Sequence, residues 1–94
     1  MGSINRALIS CSCGSSPTYA RTQFKIKFPD EPEPPMYIAK KGYSLLEKLP
    51  PNSEAYTFLS SVLKKKGRYS YLLEWDDTGN LTYVWNYQKN QRVQ

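Results

Sequence analysis

YSYLLEWDDTGNLTYVWNY, residues 69–87, is the stretch whose reading decides the fold. Side chains of a strand alternate between two faces. Tyr69, Tyr71, Leu73 and Trp75 take every second place in its first half, and Leu81, Tyr83, Trp85 and Tyr87 every second place in its last half. Between them stands Asp76-Asp77-Thr78-Gly79-Asn80, residue types that supply left-handed and side-chain-bonded turn conformations. The pattern predicts a β-hairpin. If the loop preserves the alternation, both ring sets share one face. Ser70, Leu72, Glu74, Thr82, Val84 and Asn86 then share the other.

Upstream, Ala55, Phe58, Leu59, Val62 and Leu63 recur at i, i+3, i+4, i+7 and i+8, the stripe of an amphipathic helix. Asn52 or Ser53 can cap its start and Glu54 suits its positive end. Lys64, Lys65 and Lys66 are expected in its last turn, with Gly67 as the C-terminal cap. Leu45, Leu46 and Leu49 suggest a shorter helical turn stopped by Pro50-Pro51, and Met36-Tyr37-Ile38-Ala39 a second strand ahead of Lys40-Lys41-Gly42. PDEPEPP, residues 29–35, reads as an extended connector. Its P-x-x-P spacing lacks the basic anchor of an adaptor ligand. In YARTQFKIKF, residues 19–28, Phe24, Ile26 and Phe28 alternate with Gln23, Lys25 and Lys27, which predicts a strand with a cationic outer side.

Residues 1–17 are polar apart from Ala7-Leu8-Ile9 and are expected to form a disordered basic tail. A transit peptide shares that composition. A myristoylation signal would want Ser or Thr where Arg6 stands. Residues 89–94 are polar and expected to fray. The expected fold class is therefore α+β: residues 18–88 form one domain with a small antiparallel sheet of three to four strands, one amphipathic helix packed on one face, and a C-terminal β-hairpin.

The 94 residues carry thirteen Lys and Arg against eight Asp and Glu, for a net charge of +5. No acidic residue precedes Asp30 or follows Asp77. Such a balance favours encounter with phosphate polymers or acidic partners. The chain has no histidine, the commonest general base and metal ligand. Its two cysteines, Cys11 and Cys13, are too few for a structural zinc site, and their closeness in sequence argues against a disulfide. The expected compartment is accordingly the cytoplasm or another reducing one, with organelle import as an alternative. No nucleotide-binding or nucleophile-elbow motif occurs. Asp76 and Asp77 read as turn formers, since no later acid completes a calcium loop. The chain is expected to be non-enzymatic, without cofactor or metal.

A binding role remains. A one-helix domain leaves a sheet face open, which the alternation fills with Lys25, Lys27, Arg68, Leu72 and Val84, flanked by Lys64, Lys65 and Lys66. This is the candidate surface for a protein partner, in an adaptor or regulatory role. Tyr69 and Tyr87, at the hairpin ends, are the rings expected to surface. RNA or single-stranded DNA is the alternative partner, but a stacking platform needs rings and cations on the same side, and the alternation puts them on opposite sides. An edge strand could pair two copies of the chain. No apolar run is long enough to span a membrane.

Overall fold

The computed structural model describes residues 4–13 and 16–93. In chain order its elements are β1 (Asn5–Ser10), α1 (Ser16–Lys27), β2 (Met36–Ile38), a 3-10 turn (Ala39–Lys41), α2 (Gly42–Leu46), α3 (Glu54–Leu63), β3 (Ser70–Trp75), β4 (Leu81–Asn86) and β5 (Gln91–Arg92). The result is a small α+β fold with a five-stranded mixed sheet of order β2-β1-β3-β4-β5. Strands β1 and β2 are parallel and the other neighbours antiparallel. The sheet thus has more strands than expected, and helices lie on both of its faces.

The largest correction is at the N-terminal end. Residues 5–10, expected in a disordered tail, form a strand flanked on both sides, by β2 and β3. Leu8 and Ile9 are fully buried and Ala7 nearly so. A short, unbroken apolar run is the signature of a strand covered on both faces. Its ordering cost is met by contacts from elements distant in sequence. Residues 1–3, 14, 15 and 94 lie outside the described residues.

Residues 19–28 were expected as a strand, yet they belong mostly to α1. Two periods compete there. Phe24, Ile26 and Phe28 fit a strand, while Ala20, Phe24 and Phe28 fit a helix at i, i+4, i+8. The helix wins because two parallel strands need a crossover, and α1 supplies the one from β1 to β2. Ala20 and Phe24 are fully buried, whereas Ile26 is 68% exposed. Residues 29–35 then run irregularly to β2, and Leu8 N–H donates to the Pro35 carbonyl at 2.9 Å.

The hairpin and the second helical layer form where expected. Ser53 Oγ accepts the Tyr56 N–H at 3.2 Å, capping α3. The hairpin loop closes on the same helix end: Ala55 N–H donates to the Gly79 carbonyl at 2.9 Å, and Leu81 N–H to Glu54 Oε1 at 3.1 Å. Gly79 has φ +88°, and an added Cβ there would meet Ser53 Cβ at 2.4 Å, so this seat requires glycine. Helix α3 ends at Leu63, which places Lys64, Lys65 and Lys66 beyond its last turn.

The expected sharing of one face by both ring sets does not hold. Leu73 pairs with Val84 and Glu74 with Tyr83, but Trp75 pairs with Leu81, so Thr82 is an extra residue in β4. This bulge reverses the alternation between the two halves of the strand. Tyr71, Leu73, Trp75, Leu81 and Val84 pack with α2 and α3. Leu72, Tyr83, Trp85 and Tyr87 fall on the side of α1.

The C-terminal end is also more ordered than expected. Asn86 Oδ1 accepts the N–H groups of Gln88 and Lys89 at 3.0 and 3.1 Å, and Asn90 takes a left-handed φ of 54°. This turn lays Arg92 opposite Trp85 and Gln91 opposite Asn86. Both sheet edges, β2 and β5, are very short, a form that limits edge-to-edge pairing. No helix among the described residues is long and apolar enough to cross a membrane.

Cys11 and Cys13 are joined as a disulfide, contrary to expectation, with Cα atoms 5.3 Å apart.

Candidate functional site

The residues expected on one open face are scattered. Leu72 and Val84 are both buried, Leu72 beneath α1 and Val84 beneath α2 and α3, on opposite sides of the sheet. Their patch does not exist. Arg68 is exposed between α3 and β3. Lys64 and Lys66 are exposed beside Lys65, whose ammonium donates to the Tyr71 hydroxyl at 2.6 Å. That places these lysines on the α3 side. Lys25, on the outer side of α1, shares Glu33 with Arg21. Tyr69 and Tyr87, expected at the surface, are 7% and 2% exposed. The two hairpin ends are roofed, Tyr69 by the α2–α3 layer and Tyr87 by α1.

A different group converges on the side of α1. Strand β4 presents Tyr83 and Trp85 there, two residues apart, both half-buried. Their rings are nearly parallel, 5° between planes, with centroids 6.4 Å apart. Helix α1 lies over β1 and β3, and its last residue, Lys27, reaches across to β4. The Lys27 ammonium stands 3.4 Å from the Trp85 ring centroid and 5.4 Å from that of Tyr83, and it donates to the Tyr83 hydroxyl at 2.7 Å. From β5, the Arg92 guanidinium stands 4.9 Å from the Tyr83 ring. Two cations thus cover two adjacent rings, an arrangement drawn together by the ring quadrupoles.

Charge sets these two cations apart from their neighbours. Arg6 is held by Glu31 and Glu74, and Arg21 and Lys25 by Glu33. Among the described residues Lys27 and Arg92 have no carboxylate within 4.0 Å. An anion arriving at the strip therefore meets two cations whose partners among the described residues are rings and a phenol.

Tyr87 continues the same stripe inward. Its hydroxyl is buried with no hydrogen-bond partner among the described residues. Burial, with a smaller contribution from Tyr83, pushes its pKa up. It is a packing ring and offers no surface contact.

The sequence names Lys27 but puts it on the face away from Tyr83 and Trp85, because the alternation at residues 19–28 reads as a strand and a single register is carried through the hairpin. Arg92 was missed altogether, having been assigned to a frayed end. The Asn90 position, tolerant of left-handed backbone, was the available signal for the extra turn.

No protein-family model, curated protein or solved structure matches this chain.

Proposed function

We propose that the chain is a non-enzymatic binding module that takes single-stranded RNA or DNA across the Tyr83–Trp85 strip. The observation that carries this reading is the convergence, on one side of the sheet, of two half-buried, nearly parallel rings and two cations with no carboxylate partner among the described residues. Stacking on an aromatic side chain contributes about 1–3 kcal/mol per base, and every base offers a flat face. An incoming base displaces the Lys27 ammonium from the Trp85 ring, and the freed cation is then placed to meet a neighbouring phosphate. Arg92 serves the Tyr83 end in the same way. The net charge of +5 assists encounter.

The protein-partner reading relied on Leu72 and Val84 forming one exposed centre, and they do not. A protein partner would have to use the same aromatic strip, with acidic side chains replacing phosphates.

The test is a titration of the full chain with a short oligothymidylate at several salt concentrations. With Lys27 and Arg92 each neutralising one phosphate, log K should fall against log salt with a slope of about −1.4, and Lys27→Gln should reduce its magnitude by about 0.7. An absent or salt-independent interaction would overturn the proposal. Equal affinity for an acidic peptide of matched charge would favour the protein partner.

A further inference from the structure

A second site, independent of the aromatic strip, lies at the far end of β1. We infer that Cys11 and Cys13 form a thiol–disulfide exchange site whose substrate is a free thiol, and that their bridge is not a structural staple.

The first argument is the size of the ring. The bridge closes over a single residue, Ser12. A disulfide stabilises a fold largely by restricting the unfolded chain, and that effect grows with the length of the loop it closes. A bridge across one residue sits at the bottom of that range.

The second argument is that the fold already holds Cys11 in place. Strand β1 is paired with β3 from Asn5 to Ser10 and with β2 from Leu8 to Ser10. The strand's ladder continues past its end, since Cys11 N–H donates to the Tyr69 carbonyl at 3.0 Å. The Ser10 and Ser70 hydroxyls also meet across the strands at 2.9 Å. None of these bonds depends on the bridge.

The third argument is asymmetry of access. Cys11 is 6% exposed and belongs to the core beneath α2 and α3, whereas Cys13 is half-buried at the edge of that core. An incoming thiolate therefore reaches the Cys13 sulfur. It forms a new S–S bond there while the Cys11 sulfur departs with the electron pair of the old bond and takes a proton. Cys11 is then a small buried thiol, which an apolar core accommodates. A second thiolate attacks the external sulfur of the mixed disulfide, releasing Cys13 as a thiolate that is protonated in turn. The sum is one bridge and two thiols giving a dithiol and one external disulfide, a two-electron exchange.

The experiment equilibrates the full chain in mixtures of reduced and oxidised glutathione, blocks free thiols with a maleimide and reads the mass. The expected result is a reversible passage between zero and two blocked cysteines. Circular dichroism should show a folded chain in both forms, with thermal midpoints within a few degrees. In Cys11→Ala, oxidised glutathione should add to Cys13 at least about tenfold faster than it adds to Cys11 in Cys13→Ala. A bridge that stays closed in about a hundredfold excess of reduced glutathione would overturn the inference. So would a pair that stays open in excess oxidised glutathione, a reduced chain that unfolds, or equal rates of addition in the two variants.

Discussion

The two faces of the sheet are built from different material. Beneath α2 and α3, Ala7, Ile9, Leu73 and Val84 meet Ala55, Leu59 and Val62, all at most 1% exposed. Beneath α1, Leu8, Leu72, Ala20 and Phe24 form a comparably dry centre. Around that centre stand the Arg6–Glu74–Glu31 cluster, the Ser10–Ser70 hydroxyl pair, the unpartnered Tyr87 hydroxyl and the ring-cation strip. The α2–α3 side has half-buried rings too, Tyr37, Tyr56 and Phe58, and one cation–ring contact, Lys65 over Tyr71; what sets the α1 side apart is the nearly parallel Tyr83–Trp85 pair under two cations. The difference is that the α2–α3 side is closed by packing, while the α1 side carries the strip on which the proposed binding rests.

The contrast can be broken most severely at the centre of each face. Leu72→Asp and Val84→Asp each place an unpaired carboxylate in a dry layer. Each should cost more than about 4 kcal/mol, enough to unfold a domain of this size, with loss of the far-ultraviolet circular dichroism signal. A folded Val84→Asp chain would refute the burial of that face.

Next, Phe24→Ala should lower unfolding free energy in urea by about 3–5 kcal/mol. Trp85→Ala, at a half-exposed site of the same face, should cost only about 1 kcal/mol yet weaken oligonucleotide binding about tenfold or more. Equal stability losses would make the strip a core like any other.

On the opposite face, Ser53→Ala removes the α3 cap and should cost about 1 kcal/mol without touching binding. Tyr87→Phe, by contrast, deletes a hydroxyl that has no partner among the described residues and should be neutral or slightly stabilising at pH 7. The sign with pH follows from its raised pKa. The folded state prefers the neutral phenol, so the associated stability is full below the unfolded value of about 10 and declines as pH rises above it. Tyr87→Phe should flatten that alkaline decline in urea titrations.

The smallest effect concerns the hairpin loop. The Asp76 carboxylate accepts the Thr78 hydroxyl at 2.7 Å and the N–H groups of Thr78 and Asn80 at 3.0 Å each, and these bonds, the Thr78 side chain first, hold its pKa down. Its contribution is present above about pH 4, the unfolded value, and fades as pH falls through the lower folded one. Asp76→Asn should therefore narrow the difference in unfolding midpoint between pH 6 and pH 3.

Local patterns told much of this fold. The hairpin, the α3 stripe with its Ser53 cap, and the Pro50-Pro51 stop are decided within a few residues of themselves, so they were legible. Residues 5–10 were not, because a strand covered on both faces has no period and draws its stabilisation from partners up to seventy positions away, as in the pairing of Asn5 with Trp75. The strand expected at residues 19–28 failed because Phe24 and Phe28 fit two periods, and only the parallel β1–β2 pairing chooses between them. The site was legible in its components and illegible in its sidedness. Lys27, Tyr83 and Trp85 are plain in the sequence, but a one-residue bulge at Thr82 decides which helix the two rings face, and Lys27 joins them only because its segment is helical.

The central claim, that Trp85 belongs to a binding surface while Trp75 belongs to the core, is open to one direct measurement. Tryptophan fluorescence is followed while a short oligothymidylate is added to Trp75→Phe and, separately, to Trp85→Phe. Saturable, salt-sensitive quenching should persist in Trp75→Phe, where Trp85 alone reports, and vanish in Trp85→Phe. Quenching that survives in Trp85→Phe, or is missing from both folded variants, would contradict the account.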